Sequence, residues 1–235
     1  MSQVGDSISA NNANWSFDGD IVENFESHID RSVPLYKLGH ELIIECADFF
    51  IKNDSICYEL GCSTGLLSHK LSERFKSSNS KFIGLDEVEN MIKFANKKYK
   101  NENLSFKIAN VLDYEYQNAD MIISYYLLQF IRPSNKQNLI NKIYANLNWG
   151  GAFLCFEKVR SPDARFQDIT TGLYHEYKLK NGYTNDQILN KTRSLKGILE
   201  PFSTKGNLDM FKRAGFKDIT SIFKFVCFEG FLCIK

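Results

Sequence analysis

A chain of 235 residues with a 43% hydrophobic share can bury a full core as one α/β domain with at most a small cap, which excludes a disordered chain. Its 29 Lys and Arg against 28 Asp and Glu leave a formal charge of +1, so composition makes no electrostatic case for nucleic acid or an acidic membrane surface and favours small-molecule chemistry. No apolar run is long enough to span a bilayer, and the polar start lacks a basic segment followed by an apolar one, which places the protein in the cytoplasm.

Residues 1–14 hold too few apolar groups to order themselves and are expected to form a disordered tail. Trp15-Ser16-Phe17-Asp18 then leads into Ile21, Val22, Phe25 and Ile29, an amphipathic helical pattern that stops before Pro34. A second helix over 38–51 carries Leu42, Ile43, Cys46 and Phe50 at helical spacing. Both helices precede the first core strand, so 15–53 reads as an N-terminal helical lid.

The stretch 55–75 reads as strand, glycine loop and helix: an apolar run through Glu59 and Leu60, the loop Gly61-Cys62-Ser63-Thr64-Gly65, then Leu67, Leu71 and Phe75 at helical spacing. Glycines at both ends let a ligand approach the backbone, and the helix start directs unpaired N–H groups at it. Asp86 ends the next apolar run, about 20 residues beyond the loop, where an acid that binds a ribose belongs. Together they predict an adenosine pocket, although the loop alone is equally a tight turn into a packed helix.

The helix 88–99 sets Met91, Ile92 and Ala95 on one face and a solvated lysine run on the other. Strand three spans 104–109, Asn110 and Asp113 fall in the loop after it, and strand four spans 119–126. Pro133 opens a helix striped by Leu139, Ile140, Ile143 and Leu147, and Gly150-Gly151 are expected to stop it before strand five, 152–159. From 161 to 204 the rhythm breaks into an aromatic and polar segment holding Tyr174-His175-Glu176-Tyr177, Asn181-Gly182-Tyr183 and a polar helix through Thr192 and Arg193. An insertion of this length beside a ligand-binding sheet reads as an active-site segment. A helix over 208–214 and two strands, 218–225 and 227–234, return to the core begun at 54–160. Seven strands closing with an antiparallel hairpin, behind one glycine loop lacking G-x-G-x-x-G, favour a class I methyltransferase (Rossmann-like) sheet and S-adenosylmethionine (SAM) over a nicotinamide fold.

The six cysteines form no C-x-x-C pair and have no adjacent histidine, so no metal is expected. Most fall in strand-like apolar runs, and Cys62, with no histidine to activate it, contributes its backbone.

Trp15-x-Phe17-Asp18, Arg31-Ser32-Val33-Pro34-x-Tyr36, Glu59-Leu60-Gly61-Cys62-Ser63, Leu128-Gln129-Phe130, Lys142-Ile143-Tyr144, Glu157-Lys158 and Asn181-Gly182-Tyr183 together resemble the carboxy-S-adenosylmethionine synthase family of the wobble-uridine tRNA modification pathway. The resemblance runs from Trp15 almost to the end and implies an enzyme that moves a carboxylate from prephenate onto the sulfonium methyl carbon of SAM. It implies SAM contacts at Tyr36, Gly61, Cys62, Ser63 and Asp86, with Glu59 and Gly65 in the same loop unit. The chain departs from the family pattern at Glu87, where the family has Asn, at Asn110-Val111, where it has Asp-Ile, and at Tyr125, where it has Asn. Thr192 stands where the family has its carboxylate-binding Arg, with Arg193 one residue away, a shift of about 100° around a helix.

A carboxylate in a closed site calls for a fixed cation with bidentate donors, which Thr lacks, and this keeps several reactions open. The leading expectation is methyl transfer to a small-molecule acceptor, with His175, Glu176 or Tyr177 as base or orienter. Next come cyclisation of SAM to azetidine-2-carboxylate and methylthioadenosine, carboxylation, and a non-catalytic binding module that inherited the fold. Tyr36, Tyr125, Tyr126, Tyr177 and Trp15 are candidates to surround the sulfonium, with Tyr125, Tyr177, His175 and Arg193 as candidate catalytic residues. The expected partner is a small-molecule substrate, without direct nucleic-acid or membrane binding and with a homodimer left open.

Overall fold

The computed structural model describes residues 2–5, 8–17 and 21–235. Met1, Asp6 and Ser7 of the expected tail, and Asp18 of the Trp15–Phe17 motif, lie outside the described residues. Within that tail, β1 (Ser2–Gly5) pairs antiparallel with β2 (Ile8–Ala10), in place of the disorder expected there. A polar composition concealed Val4 and Ala10, both buried against Trp15, Val22, Phe25 and Met91. The partner surface comes from far along the chain: Asn190 donates to the Gln3 carbonyl at 3.1 Å, and the Ala13 and Trp15 amides donate to the carbonyls of Arg193 and Ser194. α1 (Ile21–Ser32) stops ahead of Pro34 as its pattern predicts, and α2 (Tyr36–Ala47) begins two residues before the expected start, after Leu35 turns the chain in a left-handed conformation.

The strand–loop–helix unit is β3 (Ile56–Leu60) followed by α3 (Leu66–Arg74), and β4 (Lys81–Asp86) carries Asp86 as its last residue. There follow α4 (Glu89–Lys98), β5 (Leu104–Ile108), β6 (Ala119–Tyr125), a 3-10 turn at Leu128–Phe130 and α5 (Pro133–Asn146). β7 spans Leu147–Lys158 and runs through Gly150-Gly151, which were expected to separate helix from strand. The glycines instead form a bulge: Ala119 pairs with Leu147 but Met121 pairs with Ala152, and the Gly150 amide donates to the Lys235 carbonyl at 2.8 Å. The insertion is two helices, α6 (Ala164–Lys180) and α7 (Asn185–Ser194), before α8 (Thr204–Ala214), β8 (Asp218–Phe225) and β9 (Phe228–Ile234).

The seven-stranded sheet has the order β5-β4-β3-β6-β7-β9-β8, parallel from β5 to β7, with β9 antiparallel to both of its neighbours. This is the class I methyltransferase sheet that the element pattern predicted. One face carries Leu139, Ile140 and Ile143 of α5 with Met210 and Phe211 of α8 against Ile122 and Phe153. The other packs Ile43 and Ala47 of α2 with Leu67 and Leu71 of α3 against Cys57, Met121 and Leu154. Strand order reverses between β3 and β6, where sheets of this kind open a crevice at their carboxyl ends.

Candidate active site

A cavity of about 630 Å³ occupies that crevice. Its floor is the carboxyl ends of β3, β4, β6 and β7 with the loop after β5, and its cover is Trp15, Phe17, α1, α6 and α7.

The glycine loop folds back over β4, where the Gly61 and Cys62 amides donate to the Leu85 carbonyl at 2.8 and 3.0 Å. Gly61 is left-handed, and a side chain there would meet Leu127 Cδ1 at 2.9 Å. Asp86 accepts from the Ser63 amide with one carboxylate oxygen and from the Val88 amide with the other, both at 2.9 Å. Burial raises its pKa and these two amides oppose the rise, so the residue expected to bind a ribose also fixes the loop. Glu59 is buried and accepts from the Ser68 amide at 2.8 Å and from the Ser68 hydroxyl. Burial pushes its carboxyl up to about 8. Asn110 and Glu87 share the rim through a 3.5 Å hydrogen bond, and Val111 supplies apolar wall.

Aromatic rings continue the wall. Tyr125 lies 4.9 Å from Tyr36 and 4.7 Å from Tyr126 between ring centroids, and its hydroxyl donates to the Tyr36 carbonyl at 2.5 Å. Burial raises its pKa, so Tyr125 is a neutral phenol whose proton is already placed, which suits a wall and not a base. His40 packs behind, 4.7 and 4.8 Å from the rings of Tyr36 and Tyr125, and burial pulls it down to about 3.

The opposite end gathers three lysines. Lys158 Nζ at the end of β7 and Lys178 Nζ on α6 lie 4.6 and 4.2 Å from the centroid of the Tyr174 ring, and the Tyr174 hydroxyl donates to the Ser32 carbonyl at 2.8 Å. Lys191 Nζ on α7 lies 4.1 Å from the Trp15 ring and hydrogen-bonds His28. Burial depresses all three lysines: Lys178 falls to about 7, with Lys158 adding to the shift, and Lys191 falls well below its ordinary value. These side chains carry no sequence signal beyond the Glu157-Lys158 pair, because a lysine on a polar helix reads as solvated until the partner of that face is known.

Of the residues singled out from sequence, Tyr36, Glu59, Gly61, Cys62, Ser63, Asp86, Glu87, Asn110, Val111, Tyr125, His175 and Thr192 line the cavity. Three do not. Gly65 starts α3 behind the loop, where a side chain would meet the Phe106 ring at 2.5 Å, so its role is helix packing. Tyr177 faces Phe225, 6.3 Å away between ring centroids, on the side of α6 away from the cavity. Arg193 is exposed and outside the cavity, since α7 is regular at this point and one residue of offset turns the side chain to solvent. Among the described residues no group of His, Cys, Asp and Glu is arranged to hold a metal ion, and no helix is long and apolar enough to cross a membrane.

Comparison with known proteins identifies the frame. Residues 58–151 match the model of a methyltransferase domain. The carboxy-S-adenosyl-L-methionine synthase of Staphylococcus epidermidis is 34% identical over 222 residues, 94% of this chain and 97% of the relative. The chain belongs to the carboxy-S-adenosyl-L-methionine synthase family. The synthase of Campylobacter jejuni subsp. doylei is 37% identical over 227 residues, 94% of each chain. Among solved structures, a chain from the complex of the Haloferax volcanii Trm112 methyltransferase activator with a methyltransferase superposes with a TM-score of 0.63 at 14% identity, covering 93% of this chain and 99% of that one. Human N-acetylserotonin methyltransferase in complex with SAM gives 0.60 at 16% identity, covering 94% of this chain and 60% of that one. These two likenesses concern the fold alone.

Proposed function

We propose that this SAM-dependent transferase carboxylates its own cofactor substrate, joining a carboxyl group from a second, anionic small molecule to the methyl carbon of bound SAM. The observation that carries the reading is that the cavity has two chemically distinct parts, carboxyl groups of Glu59, Asp86 and Glu87 beside the glycine loop and the amino groups of Lys158, Lys178 and Lys191 where β7, α6 and α7 close it, whose protonation a bound anion would favour. A cavity of this size in the usual range for ligand sites has room for a second, small reactant, which self-cyclisation does not need. The names of the relatives favour carboxylation among transfer reactions.

The residues present fit SAM. The Asp86 carboxylate retains lone pairs for a ribose hydroxyl, and the backbone of Gly61 to Ser63 admits close approach. The buried carboxyl of Glu59 matches an ammonium group, and Val111 and Val88 offer an apolar slot for the base. The faces of Tyr36, Tyr125 and Tyr126 suit a sulfonium, a contact worth roughly 0.5 to 2 kcal/mol. Bound there, SAM supplies an acidified methyl carbon as the acceptor. Trp15 and Phe17 would cover the bound molecule from water, and Lys158, Lys178 and Lys191 would be the groups available to a donor's negative charge. His175, on the wall beside Lys178 and Lys158, is depressed by burial and by both lysines and so stands as a neutral imidazole able to accept a proton.

The test is to incubate the purified chain with SAM, with and without prephenate, and to identify all nucleosides by mass spectrometry. A product heavier than SAM by the mass of CO2, one methyl hydrogen having been replaced by a carboxyl group, is expected only with prephenate. S-adenosylhomocysteine formed with another acceptor would assign methyl transfer instead, and methylthioadenosine from SAM alone, above the enzyme-free rate, would refute a two-substrate reaction.

A further inference from the structure

The motif Lys142-Ile143-Tyr144 has no part in the site described above. Ile143 is buried in the core beneath the sheet, and the Tyr144 ring packs edge-on against Phe216 with centroids 4.9 Å apart. Packing accounts for both. Lys142 departs from them: it is half-buried on α5, its Nζ donates to the Leu112 carbonyl at 2.8 Å, and it lies 5.4 Å from the centroid of the Tyr116 ring. Tyr116 in turn donates its hydroxyl to the Val111 carbonyl at 2.8 Å. Val111 and Leu112 line the cavity, whereas Lys142 and Tyr116 do not, so two consecutive carbonyls of the wall are held from outside it by a lysine and the ring beside it. The remaining groups of this turn are spent on its shape. The Asn110 carbonyl accepts from the Asp113 and Tyr114 amides at 3.1 and 3.0 Å, and Asn110 Oδ1 accepts from the Leu112 amide at 2.9 Å. Among the described residues the Val111 amide has no partner, which leaves it as a main-chain donor available to a ligand. The far end of the loop has its own anchors, since Tyr58 accepts from the Gln117 amide at 3.2 Å and packs against Tyr114 and Tyr116 with centroids 5.9 and 5.2 Å away. Immobilising a lysine costs side-chain entropy, and a loop already anchored by three tyrosines does not need that constraint to stay attached.

We propose that Lys142 is a positioning residue for base recognition, acting on bound SAM through the Leu112 carbonyl. This rests on the placement of the base beside Val111 given above. With the carbonyls of Asn110, Val111 and Leu112 each engaged, three successive peptide planes of the turn are fixed, and the Val111 amide keeps one direction. Lys142 closes that series. An amide N–H in this place suits a purine with an accepting ring nitrogen at its outer edge: adenine accepts at N1, whereas hypoxanthine carries a hydrogen there and does not. The apolar Val111 side chain meets either base alike. Lys142 therefore sets selectivity among bases more than overall grip, although it touches no ligand itself.

Calorimetric titration of the full chain with S-adenosylhomocysteine and S-inosylhomocysteine, which differ in the base alone, tests this. The unmodified chain should prefer the adenine nucleoside at least about tenfold. Lys142→Met should weaken S-adenosylhomocysteine about tenfold and S-inosylhomocysteine less than about threefold, collapsing the preference. Lys142→Arg, which keeps a donor and a cation over the ring, should restore most of it. Tyr116→Phe, which deletes only the hydroxyl on the Val111 carbonyl, should move the preference in the same direction, so the result does not hang on one variant folding. A lysine that merely supports the fold would lower the melting temperature and weaken both nucleosides by the same factor, and that result overturns the proposal. An unchanged preference in the variants that fold overturns it too, while leaving the base where it was placed. Failure of S-adenosylhomocysteine to bind the unmodified chain, or equal binding of the two nucleosides, would overturn the placement of the base and the proposal together.

Discussion

Gly39, buried on α2, faces the hydroxyl of Tyr125, and a methyl group added there would lie 2.2 Å from Tyr125 Oη and 3.1 Å from Cε2 and Cζ. Substitution to alanine sets two effects against each other. Helix propensity gains about 1 kcal/mol, since glycine is the poorer helix former. Against this, forcing a methyl group into a filled core costs about 1 to 3 kcal/mol, and moving Tyr125 breaks its 2.5 Å hydrogen bond to the Tyr36 carbonyl, a further 0.5 to 1.5 kcal/mol or so. The ring cannot swing away, because Tyr36, His40, Tyr126 and Phe156 surround it with centroids 4.7 to 5.1 Å distant. Gly39→Ala should therefore destabilise by about 2 kcal/mol, a fall in Tm of about 4 to 8 °C for a chain of this length. Thermal denaturation followed by circular dichroism measures it, with Tyr125→Phe and the double variant completing a cycle. Deleting the hydroxyl removes the atom that the methyl group would strike, so the double variant should lose clearly less than the two single losses added together. An unchanged or raised Tm for Gly39→Ala, or strict additivity, would refute the claim that Gly39 exists to seat Tyr125.

Asp86→Ala frees the Ser63 and Val88 amides and should weaken SAM about 10- to 100-fold by fluorescence titration, with Asp86→Asn intermediate. Lys178 takes up its proton at about 7 when folded, in the company of Lys158, Lys191, His175, Tyr174 and Cys227, and at about 10.4 when unfolded. Between these values the unfolded chain binds the extra proton, so the stability of the native chain relative to Lys178→Met should rise from pH 7 to 9 in urea titrations, and a flat difference counts against a neutralised lysine. Arg193→Ala should leave steady-state kinetics for both substrates within about twofold, since a surface substitution outside the cavity removes no contact made there. Trp15→Ala removes the ring against Lys191 and a wall of the cavity, and stopped-flow release of S-adenosylhomocysteine should accelerate.

The frame was legible because local patterns dictate it. The run ending at Leu60, the glycines around Cys62 and the acid at Asp86 depend on neighbours in sequence, and they led directly to β3, the loop and β4. What escaped depends on distant partners. The antiparallel pair β1 and β2 is stabilised by α7, nearly the whole chain away, and its own composition does not reveal that surface. Lys178 and Lys191 look like ordinary solvated residues until α6 and α7 are laid over the sheet. Tyr177 is misplaced for the converse reason: its neighbours Tyr174, His175 and Lys178 line the cavity, and helical rotation turns Tyr177 away from it. Gly150-Gly151 read as a helix stop because a bulge in a long strand leaves the same local signature.

Tyr174 has two attachments that are usually separate: its ring seats the paired lysines of β7 and α6, and its hydroxyl is bonded to the last turn of α1. The N-terminal cover and the inserted helices therefore meet in one side chain and are not interchangeable parts. Exchanging 21–36 while leaving 164–180 in place keeps this bond only if the end of α1 returns a backbone carbonyl to the Tyr174 hydroxyl in the same register. For recombination or directed evolution of this scaffold, the unit of inheritance is the pair, although five of the sheet's seven strands lie between them in the sequence.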